Sequence, residues 1–451
     1  MKQIMKTTLI AAALIAITSA VYAVEPAGMT HAADAAEIAP GVVGDGIHDD
    51  TAGLQALLDS DAMEVRFPAP PKCLLISKTL TIHSGQTLIA ASNTVIRLKP
   101  RSDCLMITND NHEKGNENIT LSGGVWDMNN LNQSLPDYLK IAPAKRRDLL
   151  RSRPYSPTTY DGILLRFNHV KNLTIRDLTM KDPVMWGMQL GRLDRYTIEN
   201  ITLDYNLKTL NEDGIDIQGP ARQGRISNIR GTPNDDMVCI ASDNLGYYEM
   251  TRGPVEDLVI DGLHSTNCWN AVRLNAQGSP MRRVQIKNIT GTFRHGQFLT
   301  ISHYTAHPGS PSRFEDISIS GVTAAKCGKA TSNTGGTGMI WVNSGCVVDS
   351  LFISDFTRDE RTQPVTTISI DKGATVESLK LSNFTVINRT SGPLDLLRNA
   401  GTIGHLAITN ALLKVEGNAP RGLLIRNSGQ IKQSSLSSNV TVNVTPVVSK
   451  P

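Results

Sequence analysis

Read for its apolar and polar positions, the chain carries a weak repeat of strand-like segments. The unit runs apolar, Thr or another residue, Ile, one variable residue, Asn or Asp, apolar, Thr. It appears as Asn118-Ile119-Thr120-Leu121-Ser122-Gly123-Gly124 and again as Leu173-Thr174-Ile175-Arg176-Asp177-Leu178-Thr179. Later copies centre on Ile198, Ile226, Ile260, Ile286, Ile319, Ile353, Leu381 and Ile408. From Ile175 onward the central residues are 23, 28, 34, 26, 33, 34, 28 and 27 apart. A period in that range is the mark of a solenoid or propeller. Apolar and polar side chains alternate in each copy, with β-branched residues on the apolar side, which is strand chemistry. No long segment of 3.6-residue period lies between copies, and propeller signatures are absent. The pattern predicts an all-β chain folded as a right-handed parallel β-helix, its coils stacked ~4.8 Å apart around one long core.

Such a stack exposes core and strand edges at its end and needs a cap. Gly44-Asp45-Gly46-Ile47-His48-Asp49-Asp50-Thr51 leads into Ala52-Gly53-Leu54-Gln55-Ala56-Leu57-Leu58. The glycines suit turns, Asp50 or Thr51 can cap a helix, and the following apolar spacing is helical. The spacing of an EF-hand calcium loop is missing. Residues 24–75 are therefore expected to form an N-terminal cap segment with a helix, and residues 76–451 the β-helix. The cap motif resembles the segment that opens many β-helix proteins acting on polysaccharides. Ahead of it, Lys2 and Lys6 precede an apolar run, and Val21-Tyr22-Ala23 offers small residues at −3 and −1 of a cleavage site. Residues 1–23 read as a secretory signal peptide, too short in its apolar core to span a bilayer. The mature chain is expected to start near Val24 and to work in the periplasm or outside the cell, with no membrane association after cleavage.

Composition sharpens this picture. The 451 residues carry 45 Lys+Arg against 42 Asp+Glu, a net charge of +3, with 40 % hydrophobic residues and 5 % aromatic ones. That balance excludes intrinsic disorder and argues against a dedicated nucleic-acid binder. Length alone suggests two or three domains, but the repeat replaces them with one solenoid. Six cysteines (73, 104, 239, 268, 327 and 346) are an even number, and an oxidising compartment allows disulfides. None forms a C-x-x-C pair, so a zinc or thioredoxin-like site is not expected.

The chemistry-bearing stretch is 118–244. It holds Gly123-Gly124-Val125-Trp126-Asp127, Asp182-Pro183-Val184-Met185-Trp186, Asn211-Glu212-Asp213-Gly214-Ile215-Asp216 and Asn234-Asp235-Asp236-Met237-Val238-Cys239-Ile240. Asp213 and Asp235 lie 235 − 213 = 22 residues apart, one short coil, which puts them on neighbouring rungs of one face. Three gathered carboxylates repel one another and separate in pKa. That suits glycosidic hydrolysis, with one acid protonating the leaving oxygen while others activate water. Inverting sites hold acid and base about 6.5–9.5 Å apart and retaining sites about 5–5.5 Å, and the coil offset is compatible with inversion. Asn and Asp also abound in ordinary turns, so each motif alone carries less than the pair at one-coil spacing.

These residues resemble glycoside hydrolase family 28, the polygalacturonase and rhamnogalacturonase family of right-handed β-helices. That family has an Asn-x-Asp motif, an Asp-Asp pair a coil later, and an upstream Asp-Pro-x-x-Trp-like segment. The resemblance implies that Asp235 is the general acid and that Asp213 and Asp236 position the nucleophilic water; Asn211 and Asn270 beside them are candidates for contacting substrate. It implies no metal or organic cofactor and a pectin-like polysaccharide substrate. The family's later Gly-His-Gly and Arg-Ile-Lys signatures, whose cations bind a uronate, are not intact. In their place stand Cys268-Trp269-Asn270-Ala271-Val272-Arg273 and Gly296-Gln297-Phe298-Leu299-Thr300-Ile301-Ser302-His303, so Arg273, His295, Gln297 and His303 are the nearest binding candidates. Hydrolysis is thus better supported than galacturonate specificity. The insertion 130–159, with Lys145-Arg146-Arg147, Arg151 and Arg153, reads as a solvated loop or a wall of the cleft. The expectation is an exported inverting hydrolase, working as a monomer on a polysaccharide or oligosaccharide. A β-helix lyase and a non-catalytic, tailspike-like glycan-binding module are the competing readings.

Overall fold

The computed structural model describes residues 40–142, 145, 149, 155–243, 251–276, 278–294, 299–303, 312–328, 337–438, 440–442 and 448–449. The expected signal peptide, Arg146, Arg147, Arg151, Arg153, His295 and Gln297 lie outside the described residues.

The fold is a parallel β-helix. The central residues of the sequence repeat turn out to be register partners. Leu121 pairs with Ile175, Ile175 with Ile198, Ile198 with Ile226, and Ile226 with Ile260. The series continues through Ile286, Ile319, Ile353 and Leu381 to Ile408. All of them are buried in a single core running along the stack. Because side chains alternate across a strand, this in-register ladder holds every second residue inward.

The Asn or Asp of the repeat has its own cause. Two residues after each central position the chain turns a corner at positive φ: Asp177 at 57°, Asn200 at 56°, Asn228 at 53°, Asn383 at 56° and Asn410 at 55°. That region clashes with the Cβ of most residues and is tolerated best by Gly, Asn and Asp. The side chains then bond from rung to rung, Asn200 to Asp177 at 2.7 Å, Asn228 to Asn200 at 2.7 Å and Asn410 to Asn383 at 2.9 Å.

At the N-terminal end a helix, Thr51–Leu58, buries Leu54 and Leu58 against the core. The parallel ladder already starts at Glu64–Arg66, paired with Thr87–Ile89. Asp50 sits at the helix N-cap, but its side chain makes no cap hydrogen bond. Its carboxylate instead accepts from the backbone N–H of Val43, Gly44 and Leu75 at 2.6, 3.1 and 2.9 Å, tying the glycine loop to the first coils. Asp49 accepts from the Thr51 N–H at 3.1 Å. All six cysteines are free thiols. Among the described residues no helix is long and apolar enough to cross a membrane.

Candidate active site

One sheet of the stack brings the sequence candidates together. Met188, Ile215, Val238, Val272 and Leu299 follow one another on successive rungs. Ile215 and Ile217 point into the core, so Asp216 between them faces the opposite side of the sheet. On that outer face Arg166, Gln189, Asp216, Cys239, Arg273 and Thr300 form one column. Asp236 and Asn270 form a second pair of rungs, and Asp213 precedes them at the start of the coil before, its Oδ1 accepting from the Asp236 N–H at 3.4 Å.

Asp213, Asp235 and Asp236 each offer a carboxylate oxygen within 4.8 Å of the others. Their exposure differs. Asp236 is fully buried and Asp213 is 5 % exposed, whereas the Asp235 side chain keeps 25 % of its surface. The adjacent aspartates therefore point different ways, one into the floor and one toward solvent. Asn270 donates from Nδ2 to Asp236 Oδ1 at 2.5 Å. Arg273 brings Nε to 3.0 Å from Asp236 Oδ2 and its terminal nitrogen to 3.8 Å from Asp235 Oδ1. Arg294 is anchored on Asn234, bonding its carbonyl at 2.9 Å and its Oδ1 at 2.8 Å.

Burial sets the electrostatics. It pushes Asp236 up to about 7, with Asp235 adding to the rise and Arg273 and Asn270 opposing it. Burial likewise holds Asp213 well above the usual carboxylate range, reinforced by Asp216, Asp235 and Asp236. Asp235 is also raised by burial, but the charges of Arg273 and Arg294 pull it back. The oxygen-to-oxygen gaps are shorter than the acid–base separation general to inverting glycosidases, so spacing by itself does not argue for inversion. The cluster thus presents one carboxyl toward solvent, at Asp235, and two recessed ones, at Asp213 and Asp236, whose acidity burial lowers further.

Several acids nearby are not part of the sequence prediction. Asp216 is 4 % exposed with Oδ2 unpartnered, and burial and Asp236 raise it well above the usual range. One oxygen of Asp216 lies with Asp213 and Cys239 Sγ in a second group whose atoms are within 4.8 Å of one another. Strict alternation in Ile215-Asp216-Ile217-Gln218 is the signal that could have found it. Glu212 is fully buried and pushed by burial to about 7. It accepts from Asn130 Nδ2 at 3.1 Å and Thr209 Oγ1 at 2.6 Å, and so fastens the 130–159 insertion beside Asp213. Tyr138 of that insertion packs with Leu105, Ile163, Met185 and Trp186 in a small core of its own. Lys145 is exposed. Asn211 stands exposed on a left-handed turn at φ 62°. His303 ends the strand Leu299–His303.

No protein-family model matches the sequence, and no curated protein matches it either. Solved structures do. A Yersinia enterocolitica family 28 exopolygalacturonase superposes with a TM-score of 0.58 at 15 % identity, over 90 % of this chain and 78 % of that one. The A-module of a mannuronan C-5 epimerase from Azotobacter vinelandii gives 0.52 at 14 % identity, over 91 % and 96 %. The tailspike of E. coli bacteriophage HK620, solved with a pentasaccharide, gives 0.54 at 12 % identity, over 88 % and 76 %. The chain is thus similar in fold to a family 28 exopolygalacturonase, to a mannuronan C-5 epimerase module and to a phage tailspike, all of them β-helix proteins.

Proposed function

We propose that the protein is an exported glycoside hydrolase that cleaves a pectin-like or related polysaccharide with inversion, working as a monomer without a cofactor. The observation that carries this reading is the gathering of Asp213, Asp235 and Asp236 within 4.8 Å, with Asp235 alone substantially exposed. Asp235 gives its proton to the glycosidic oxygen as the bond to the anomeric carbon breaks. A water held by Asp213 and Asp236 attacks that carbon and passes its proton to the pair. One water is consumed, and proton exchange with solvent resets the acids. Support for inversion comes from the recess: Asp213 and Asp236 lie at the floor, where a water fits more readily than a sugar carbon. Two of the similar structures are named for action on polygalacturonan and mannuronan, and the tailspike was solved with an oligosaccharide.

The lyase reading needs a side chain that can lose its proton and then abstract the one at C5. Arg273 is poorly suited, because Asp236 and Asp235 hold it charged and push its pKa further up. The test is reducing-end release from a polysaccharide panel by the wild type and by Asp235→Asn and Asp213→Asn. The account expects release that both substitutions abolish. Undiminished release in either variant contradicts it, as does a product absorbing in the ultraviolet.

A further inference from the structure

Moving from Asp216 toward the N-terminal coils, the next rungs of the same outer column are Gln189 and then Arg166. An open polysaccharide groove would continue over them. Instead Arg166 is 1 % and Gln189 6 % exposed, and Asn168 and Gln218, two positions along from Arg166 and Asp216, are 4 % and 3 %. The protein's own chain covers them. Arg166 donates to Asp161 Oδ2 at 2.8 Å, to the carbonyls of Thr159 and Pro157 at 3.0 and 3.3 Å, and to Gln189 Oε1 at 2.7 Å. This buried guanidinium thereby clamps the segment 155–161 across the sheet, and Asn168 Nδ2 adds a bond to the Tyr155 hydroxyl at 3.1 Å. From another direction Thr251 lies on Gly191, where even a Cβ would come within 2.9 Å of Thr251 Cγ2. The cavity left beneath is about 10 Å³, room for about one water. No pyranose ring passes.

The rungs on the site side of this wall carry acceptors, Asp216 on the next rung and Asn270 and Asn275 two rungs beyond it. Asp216 Oδ2, Asn270 Oδ1 and Asn275 Oδ1 have no hydrogen-bond partner, in side chains only 4 %, 0 % and 1 % exposed. Buried polar atoms without partners are costly unless a ligand completes them. What completes acceptors is donors, and a sugar supplies them as hydroxyls. A uronate carboxylate would instead add charge to a place where Asp213, Asp216, Asp235 and Asp236 already share Arg273, with Arg294 acting on Asp235.

Resting on the hydrolase reading, we infer that the site takes the end of a glycan chain, with a neutral, hydroxyl-bearing terminal sugar seated against Asp216 and the Gln189–Gln218 wall. The wall sets the mode of cleavage, and the unpartnered oxygens choose the sugar.

The test uses oligosaccharides of alternating neutral and uronate units, prepared with either unit at the non-reducing or the reducing terminus. With the wild-type protein, one short product should accumulate from the first time point while polymer viscosity hardly falls, and neutral-ended chains should react at least 10-fold faster. A random ladder with early loss of viscosity overturns the inference, and so does an equal or greater rate on uronate-ended chains. Calorimetry of the same ligands on Asp235→Asn separates this inference from the hydrolase reading. Binding that vanishes when the chain ends are blocked supports end recognition even if no glycan is cleaved, and equal binding of blocked chains contradicts it. Cleavage at random internal bonds would leave the hydrolase reading standing.

Discussion

Asn270 donates from Nδ2 to Asp236 Oδ1 across one rung of the sheet, at 2.5 Å. The other oxygen of that carboxyl faces Arg273 Nε at 3.0 Å. A fully buried aspartate is therefore held by one neutral donor and one cation, each from the coil that follows. Both partners stabilise its ionised form, and that is the form a water-orienting base requires.

Removing the cation should expose how much the cluster depends on it. Breaking a buried pair by deleting one partner costs about 3–5 kcal/mol because a charge is left uncompensated. Arg273→Ala is expected to lose stability of that order at pH 8 and clearly less at pH 4, where the acids are protonated. Urea unfolding at the two pH values checks this. Equal losses at both would mean that Arg273 contributes packing rather than charge.

Asp236 should couple stability and activity to pH in opposite directions. Its pKa in the folded state is raised to about 7, above the ordinary value near 4. The folded protein then binds the extra proton between those values, so this group's contribution is full below about pH 4 and is lost as pH rises through about 7. Activity needs the carboxylate and should fall as pH drops through about 7. Asp236→Asn is expected to abolish activity and to lose Arg273's partner at every pH, but its Tm relative to the wild type should be more favourable at pH 8 than at pH 4. A Tm lowered equally at both pH values contradicts the assignment.

Much of this was legible in the amino-acid sequence, and the boundary has a physical cause. The central residues from Ile175 to Ile408 are apolar and strand-spaced, so their periodicity alone gives the register later seen in the ladder. Asp213, Asp235 and Asp236 stand out because carboxylates at one-coil spacing share a face. Asp216 and Glu212 look like ordinary polar positions until burial is known, and only the fold shows both nearly or fully enclosed. The wall formed by Arg166, Gln189 and Gln218 was illegible for another reason: those residues are 23 and 29 apart in sequence and meet only through the register.

The corner asparagines offer a test of the fold itself. Asn200 sits at φ 56° and bonds Asp177 and Asn228 on either side. A left-handed backbone costs an ordinary L-residue roughly 1–2 kcal/mol, and two side-chain bonds add about 1 kcal/mol each. Asn200→Ala should therefore lose about 3–4 kcal/mol in urea unfolding, and Asn200→Gly should lose less because it keeps the backbone at ease. Equal losses would show that the side-chain ladder alone matters.

Glu212 tests the link between the insertion and the site. Its oxygen accepts from Asn130 and Thr209, and it directly precedes Asp213. Glu212→Gln keeps an acceptor and should preserve folding within about 1 kcal/mol, whereas Glu212→Ala removes the two hydrogen bonds from Asn130 and Thr209, at about 1 kcal/mol each. Limited proteolysis within 130–159 should become faster in the alanine variant only. Unchanged cleavage rates would separate the insertion from this contact.

The most direct test of the central claim is proton NMR of the first products formed from the polysaccharide the wild type cleaves. Direct attack of a water held by Asp213 and Asp236, with Asp235 as the acid, predicts new reducing ends that appear first in the anomeric configuration opposite to the bond cleaved, with no unsaturated sugar. Initial retention of configuration, or an olefinic signal from an eliminated uronate, would contradict the account.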